Sequence, residues 1–208
     1  MWGWAFTNVL TLAGILRGWN NPYFGLMVYY AFAILRPTFL WFWAFGGGER
    51  HSFLVALSTL AGWAMFGFGD TRNSRGMWLP MFGLTLYAAA GIFTWRFTAI
   101  NPWWAYHNLK IMLKIVLMAW VAVSIIRTPQ HIRYFAYIIT ASLGYLAWVF
   151  NSQYYFDKWN RIWLWGFGAI DNNGVAMTMV MGVPLAFFIG INDKRMWVKA
   201  SCVVGVLC

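Results

Sequence analysis

The amino-acid sequence predicts an all-helical bundle of membrane-spanning segments, and three observations carry that expectation. Of its 208 residues, 62% are hydrophobic and only 10% are charged, against roughly one-quarter charged in soluble domains. Several apolar runs approach the ~20 residues that a helix needs to cross a bilayer core. The strict two-residue alternation of a membrane barrel is absent. In hydrocarbon, helices then remain as the structure that satisfies its own backbone.

The runs come in order. The first, residues 2–16, gives way to the polar stretch 17–22. The second, 23–45, contains Arg36-Pro37, read as a boundary, and ends at Gly46-Gly47-Gly48-Glu49-Arg50-His51, read as a flexible outer loop. Runs at 51–68 and 77–95 flank the glycine- and arginine-bearing break 69–76. Asn101-Pro102 separates the next run, 109–126, and the basic break 127–133 precedes 134–150. After 151–161 comes a run at 172–191, and an eighth begins near 197 without emerging. The expectation is about seven spans plus that eighth, in a single transmembrane domain over 1–208. The apolar stretch at Cys208 makes this chain read as the N-terminal part of a longer protein.

Sixteen Trp and ten Tyr fit interfacial aromatic belts, since Trp41, Trp43, Trp78, Trp103, Trp104, Trp163 and Trp165 lie near run ends. The net charge of +10 is spread through the breaks rather than gathered on one soluble face, which argues against nucleic acid and for anionic membrane lipids. Orientation follows the basic breaks. Arg17, Arg72, Arg75, Arg127, Arg133, Lys194, Arg195 and Lys199 are placed inside; Arg36, Arg50, Arg96, Lys110, Lys114, Lys158 and Arg161 fall outside. The outer face thus carries more cations than topology alone requires. Cys202 and Cys208 have no ligand-like spacing to the three His, so neither a metal nor a disulfide framework is expected, nor any cofactor.

Three constellations carry candidate chemistry. Arg161 stands in an aromatic loop before Gly166-Phe-Gly168. Its planar, permanently charged fork suits phosphate, and the glycines permit close backbone approach. The alternative is an interfacial Arg snorkelling beside Trp159 and Trp163. Asp171-Asn172-Asn173 opens the following apolar run. Asp171 reads as a cap or a partner of Arg161, leaving Asn172 and Asn173 as donors to a sugar or phosphate. His107, Lys110 and Lys114 are spaced i, i+3, i+7 and share one helix face. They read either as snorkelling residues or as a cationic wall for an anionic lipid-linked substrate.

A further set of motifs occurs in order over residues 20–195: Asn101-Pro-Trp-Trp104, Leu109-Lys-Ile-Met-Leu-Lys114, Arg127-Thr128, Ser142-Leu-Gly144, Arg161 with Asp171-Asn172-Asn173, and Pro184-Leu185. In these the chain resembles the N-terminal portion of the O-antigen ligase/polymerase superfamily, in particular the exosortase-associated putative O-glycosylation ligases. The resemblance implies a GT-C-like glycosyltransferase of the bacterial inner (cytoplasmic) membrane. Such an enzyme moves a glycan from an undecaprenyl-pyrophosphate carrier to an acceptor on the periplasmic side, in polysaccharide biosynthesis. It implies that Arg161 grips the pyrophosphate. It also implies that the catalytic His and another Arg lie in a later loop, so no catalytic residue is assigned within 1–208. Two other readings are a non-enzymatic subunit packed against partner membrane proteins, and a lipid or solute transporter. A transporter is expected to show repeats or helices interrupted near mid-bilayer, and the sequence displays neither.

Overall fold

The computed structural model describes residues 2–45, 50–69, 76–158, 166–168 and 171–207, and among them there are helices and no strand. The long elements are α1 (Trp2–Asn20), α2 (Pro22–Leu35), α4 (His51–Met65), α5 (Trp78–Phe97), α6 (Pro102–Ile125) and α7 (Pro129–Tyr155). After them come α8 (Asn172–Val180), α9 (Gly182–Asn192) and α10 (Met196–Leu207), and α3 (Pro37–Leu40) is one short turn after α2.

Helix starts follow a repeated device. Asn21, Asn101 and Thr128 each stand before a proline, and each side chain accepts the backbone N–H three residues on, at 3.3, 3.3 and 3.2 Å. Proline at the first helical position needs no donor and has its φ already set, while the cap satisfies an orphan N–H. These caps start α6 at Pro102 and α7 at Pro129, earlier than the apolar runs at 109 and 134 had placed them. Within the helices, hydroxyls bond back to their own backbone: Thr11 to Thr7 O at 2.7 Å, Thr59 to Val55 O at 2.8 Å. An apolar surround leaves them few other acceptors.

Five stretches are long and apolar enough to cross a membrane: Pro22–Leu40, Trp78–Phe97, Pro102–Ile125, Pro129–Tyr155 and Asn172–Asn192. The protein is therefore built as a multi-pass membrane protein. The helices α4 and α10 are shorter, at 15 and 12 residues. The 19-residue α1 is diluted by Thr7, Asn8, Thr11 and Arg17. Two of the runs are interrupted, the first at the boundary read from Arg36-Pro37. Arg36 divides 23–45, and Met181 divides 172–191. Pro184 explains the second break, because it cannot donate to the carbonyl of Val180. The dihedrals of Met181 (φ −61°, ψ −22°) stay helical, so this is a kink rather than an unwound segment.

Small residues hold α1, α2 and α4 together. A Cβ on Gly62 would lie 2.5 Å from Gly18 O and 2.7 Å from Trp19 O. One on Gly25 would collide with Thr59 Oγ1 and lie 2.9 Å from Gly18 Cα. Backbones this close gain dispersion and polar contact, the means by which helices associate where lipid is as apolar as leucine. Ser58 Oγ adds a bond across the seam to Ile15 O at 2.6 Å.

Contacts at the two ends fix each helix direction. Leu35 and Leu40 meet Leu146, Phe150, Phe167 and Val175 at one end, here the Arg36 end. Tyr23 stacks on His131 with centroids 4.1 Å apart and donates to His131 O at 2.8 Å at the other, the Asp193 end. Trp63 Nε1 donates to Ser124 Oγ at 2.8 Å there as well. The hairpin of α5 and α6 is pinned by Trp120 Nε1 to Thr85 Oγ1 at 3.0 Å. Chain alternation then puts Arg36, Arg50, Arg96, Lys110 and Lys158 toward the first end, and Arg17, Arg127, Arg133, Lys194, Arg195 and Lys199 toward the second, with Lys114 midway along α6. Apart from Lys114, the described cations group by end as the basic breaks grouped them.

Substituting Gly62→Leu is expected to disrupt the α1/α4 seam, since only backbone stands in its way; overpacking costs about 1–3 kcal/mol or more. Gly83→Ala, with nothing within 4 Å of its added carbon, is expected to leave the melting temperature unchanged or raised. Size-exclusion profiles and thermal melts in detergent check the pair, and equal behaviour of both variants contradicts the packing account.

Candidate functional site

The residue that organises the first end is Arg36. The helix α2 stops because Arg36 turns left-handed (φ 43°, ψ 67°), its N–H still bonded to Phe32 O at 2.9 Å. Pro37 immediately begins α3. A non-glycine residue in this region costs about 1–2 kcal/mol and persists where surrounding packing dictates it. Leu35 and Leu40, buried on either side of it, supply that packing.

The half-buried guanidinium of Arg36 lies over the backbone of Gly168, where a Cβ would collide with Arg36 Nη1 and Cδ. Both glycines of Gly166-Phe-Gly168 have positive φ, 63° and 61°, and Phe167 between them is buried against Phe150 with ring centroids 5.1 Å apart. The close approach expected of this Gly-x-Gly is thus present, and a cation of α2 occupies it. Among the described residues Arg36 has no carboxylate partner. A guanidinium inside a span-length apolar stretch is expensive and marks a functional position by default.

Arg161 lies outside the described residues. Its neighbours can be placed. Lys158 is exposed, with φ 51°. Asp171 caps α8, accepting Gly174 N–H at 2.8 Å, which is the capping role expected of it. Asn173 N–H donates to Asn172 Oδ1 at 2.9 Å, while the side chain of Asn173 is exposed. Val175, one turn on, packs into the same cluster as Leu35 and Phe167, so the opening of α8 sits beside the Arg36 turn.

His107 and Lys110 are exposed in the first half of α6, and Lys114 is exposed at its midpoint. The ring of His107 stacks on Trp103 at 5.9 Å, and Lys110 Nζ lies 4.4 Å over the ring of Tyr106. Among the described residues Lys114 has no polar partner. The three form a row from the start of α6 to its midpoint, and none of them lines the large groove of the bundle. That groove, about 920 Å³, lies between α7, the α8–α9 pair and α10. Among the described residues no three His, Cys, Asp or Glu side chains gather.

The Asp193 end holds a different arrangement. Asp193, 3% exposed, caps the turn before α10 by accepting Arg195 N–H at 2.8 Å. Its other oxygen accepts from Arg133 Nη2 at 2.9 Å and from the Tyr137 hydroxyl. Asp193 is thus the described carboxylate that ties the α9–α10 corner to α7. A lone acid beside Lys194 and Arg195 was the available signal. The Tyr137 hydroxyl first, then the Arg195 N–H and Arg133, hold the Asp193 carboxyl well below the usual carboxylate range. A depressed folded value contributes stability above the unfolded value of about 3.9, and that contribution is lost as pH falls further toward the folded value. Melts of the wild type are expected to drop below about pH 4, and those of Asp193→Asn to start lower with that part of the acid limb missing. A variant with an unchanged acid limb contradicts this assignment.

Comparison with family models, with curated proteins and with solved structures gives no match for this chain.

Proposed function

We propose that the chain is the N-terminal part of an O-antigen-ligase-like glycosyltransferase of the bacterial inner membrane, a GT-C-like bundle of about seven spans. Its Arg36 end receives an undecaprenyl-pyrophosphate-linked glycan. Arg161, Lys114 and Lys110 take the pyrophosphate, with His107, Asn172 and Asn173 toward the sugar and phosphate oxygens. The observation that carries the reading is the half-buried Arg36 guanidinium over Gly168. It fixes the Gly166-Phe-Gly168 turn beside the opening of α8. A cation kept in an apolar setting without a described carboxylate suits an anionic guest whose tail remains in lipid.

In the reaction the acceptor hydroxyl oxygen bonds to the anomeric carbon as the bond from that carbon to the pyrophosphate oxygen breaks. The hydroxyl proton passes to a base outside the assigned residues. Pyrophosphate leaves as an anion on its polyprenyl chain. The cations lower the barrier by stabilising charge that grows on the leaving oxygen.

The test uses membranes containing the longer polypeptide, a lipid-linked glycan and an acceptor. Arg161→Ala is expected to abolish transfer with membrane levels unchanged. Arg36→Ala is expected to lower photo-crosslinking of the lipid-linked glycan by about 10- to 100-fold, the range for a lost charge-assisted hydrogen bond. Unaltered transfer in the first variant, or unaltered crosslinking in the second, contradicts the proposal.

A further inference from the structure

We infer that the groove between α7, α9 and α10 holds one glycerophospholipid with an anionic headgroup, its phosphate on Arg195 and its acyl chains along the groove. This site lies away from the residues of the proposed transfer reaction and does not depend on them.

The walls set the chemistry of the tails. They are apolar over most of their length, with Ile138, Leu143, Trp148, Val183, Ala186 and Val204 among them. The volume of about 920 Å³ is at the upper end of small-ligand sites, roughly 300–1,000 Å³. Along α7 the lining runs from Tyr134 to Trp148, fourteen residue steps or about 21 Å of helix. One leaflet of a ~30 Å hydrocarbon core is about 15 Å deep, so the groove accommodates the tails of a single leaflet.

The mouth sets the chemistry of the head. Tyr134, Tyr137, Trp197 and Arg195 line the groove at the Asp193 end. Trp197 is two-thirds exposed, as an interfacial aromatic should be. Four cations, Arg133, Lys194, Arg195 and Lys199, surround one acid, Asp193, a balance of four minus one, or +3. Asp193 is already engaged by Arg133, Tyr137 and the Arg195 backbone. Among the described residues the Arg195 guanidinium therefore has no anion to answer it. Basic pockets between membrane helices select anionic headgroups. A second copy of this chain fits worse, because a two-fold contact sets the same patch against itself and would bring two such cationic mouths into one apolar interface.

The experiment is native mass spectrometry of the purified full chain, delipidated and then loaded with phosphatidylglycerol or phosphatidylcholine of identical acyl chains. Wild type is expected to retain one phosphatidylglycerol per chain, at least fivefold over phosphatidylcholine. Arg195→Gln is expected to reduce that preference by about fivefold, the effect of one cation near a membrane surface. The substitution keeps the backbone N–H that caps Asp193, and Arg195→Lys is expected to restore the preference. Gly144→Leu, which narrows the groove, is expected to lower retention of both lipids. Equal retention of the two lipids by wild type overturns the inference, as does a preference that survives Arg195→Gln. A lipid-free dimer that Gly144→Leu dissociates overturns it in favour of a second copy. Should Arg195→Gln fail to give a monodisperse protein, the wild-type ratio and Arg195→Lys decide.

Discussion

The contact on which the architecture depends is the near-touching of backbones where Gly18, Gly25 and Gly62 meet. Between apolar helices in lipid there is little hydrophobic gain, so geometry and dispersion must hold the seam. Glycine at these points lets α1, α2 and α4 approach to a distance no side chain would allow. The position of α2 follows from that seam. Its far end then delivers Leu35, Arg36 and Leu40 to the cluster shared with α7, Phe167 and α8.

Charge is handled differently at the two ends. At the Asp193 end a buried carboxylate is saturated by a hydroxyl, a guanidinium and a backbone N–H, a satisfied network of the kind that fixes a corner. At the Arg36 end the described cations have no comparable acid. Asp171 is engaged as a helix cap, and Lys110 rests on an aromatic face. The ends differ in arrangement rather than in charge balance: the acid of the Asp193 end is buried and saturated, whereas Asp157 and Asp171 at the other end are exposed and the Arg36 guanidinium lies over a glycine turn. In our reading that turn is where the proposed carrier lipid docks.

Much of the fold was legible from residue types. Apolar runs identified the helices. Helix starts were misplaced because hydropathy falls over Trp103 to Lys110 and His131 to Arg133, although Asn101-Pro102 and Thr128-Pro129 carried the capping signal in plain view. The break at Arg36 was marked by its proline, but nothing in one dimension showed that its side chain would cross to Gly168. That contact joins residues 132 positions apart and depends on how α2 and α7 run side by side. The role of Asp193 is hidden for the opposite reason. Its neighbours Lys194 and Arg195 made the break look uniformly basic, whereas its partner Arg133 lies sixty positions earlier. His107, Lys110 and Lys114 share one face by their spacing, and that face is exposed.

The central claim is that the Arg36 end recognises diphosphate on a lipid rather than the lipid alone. Equilibrium binding of farnesyl diphosphate and of farnesol to the purified full chain tests it most directly. The account expects the diphosphate to bind at least tenfold more tightly, the effect of about one charge-assisted hydrogen bond, with the margin narrowing as salt rises. Farnesol binding as tightly as its diphosphate, at low salt, contradicts it.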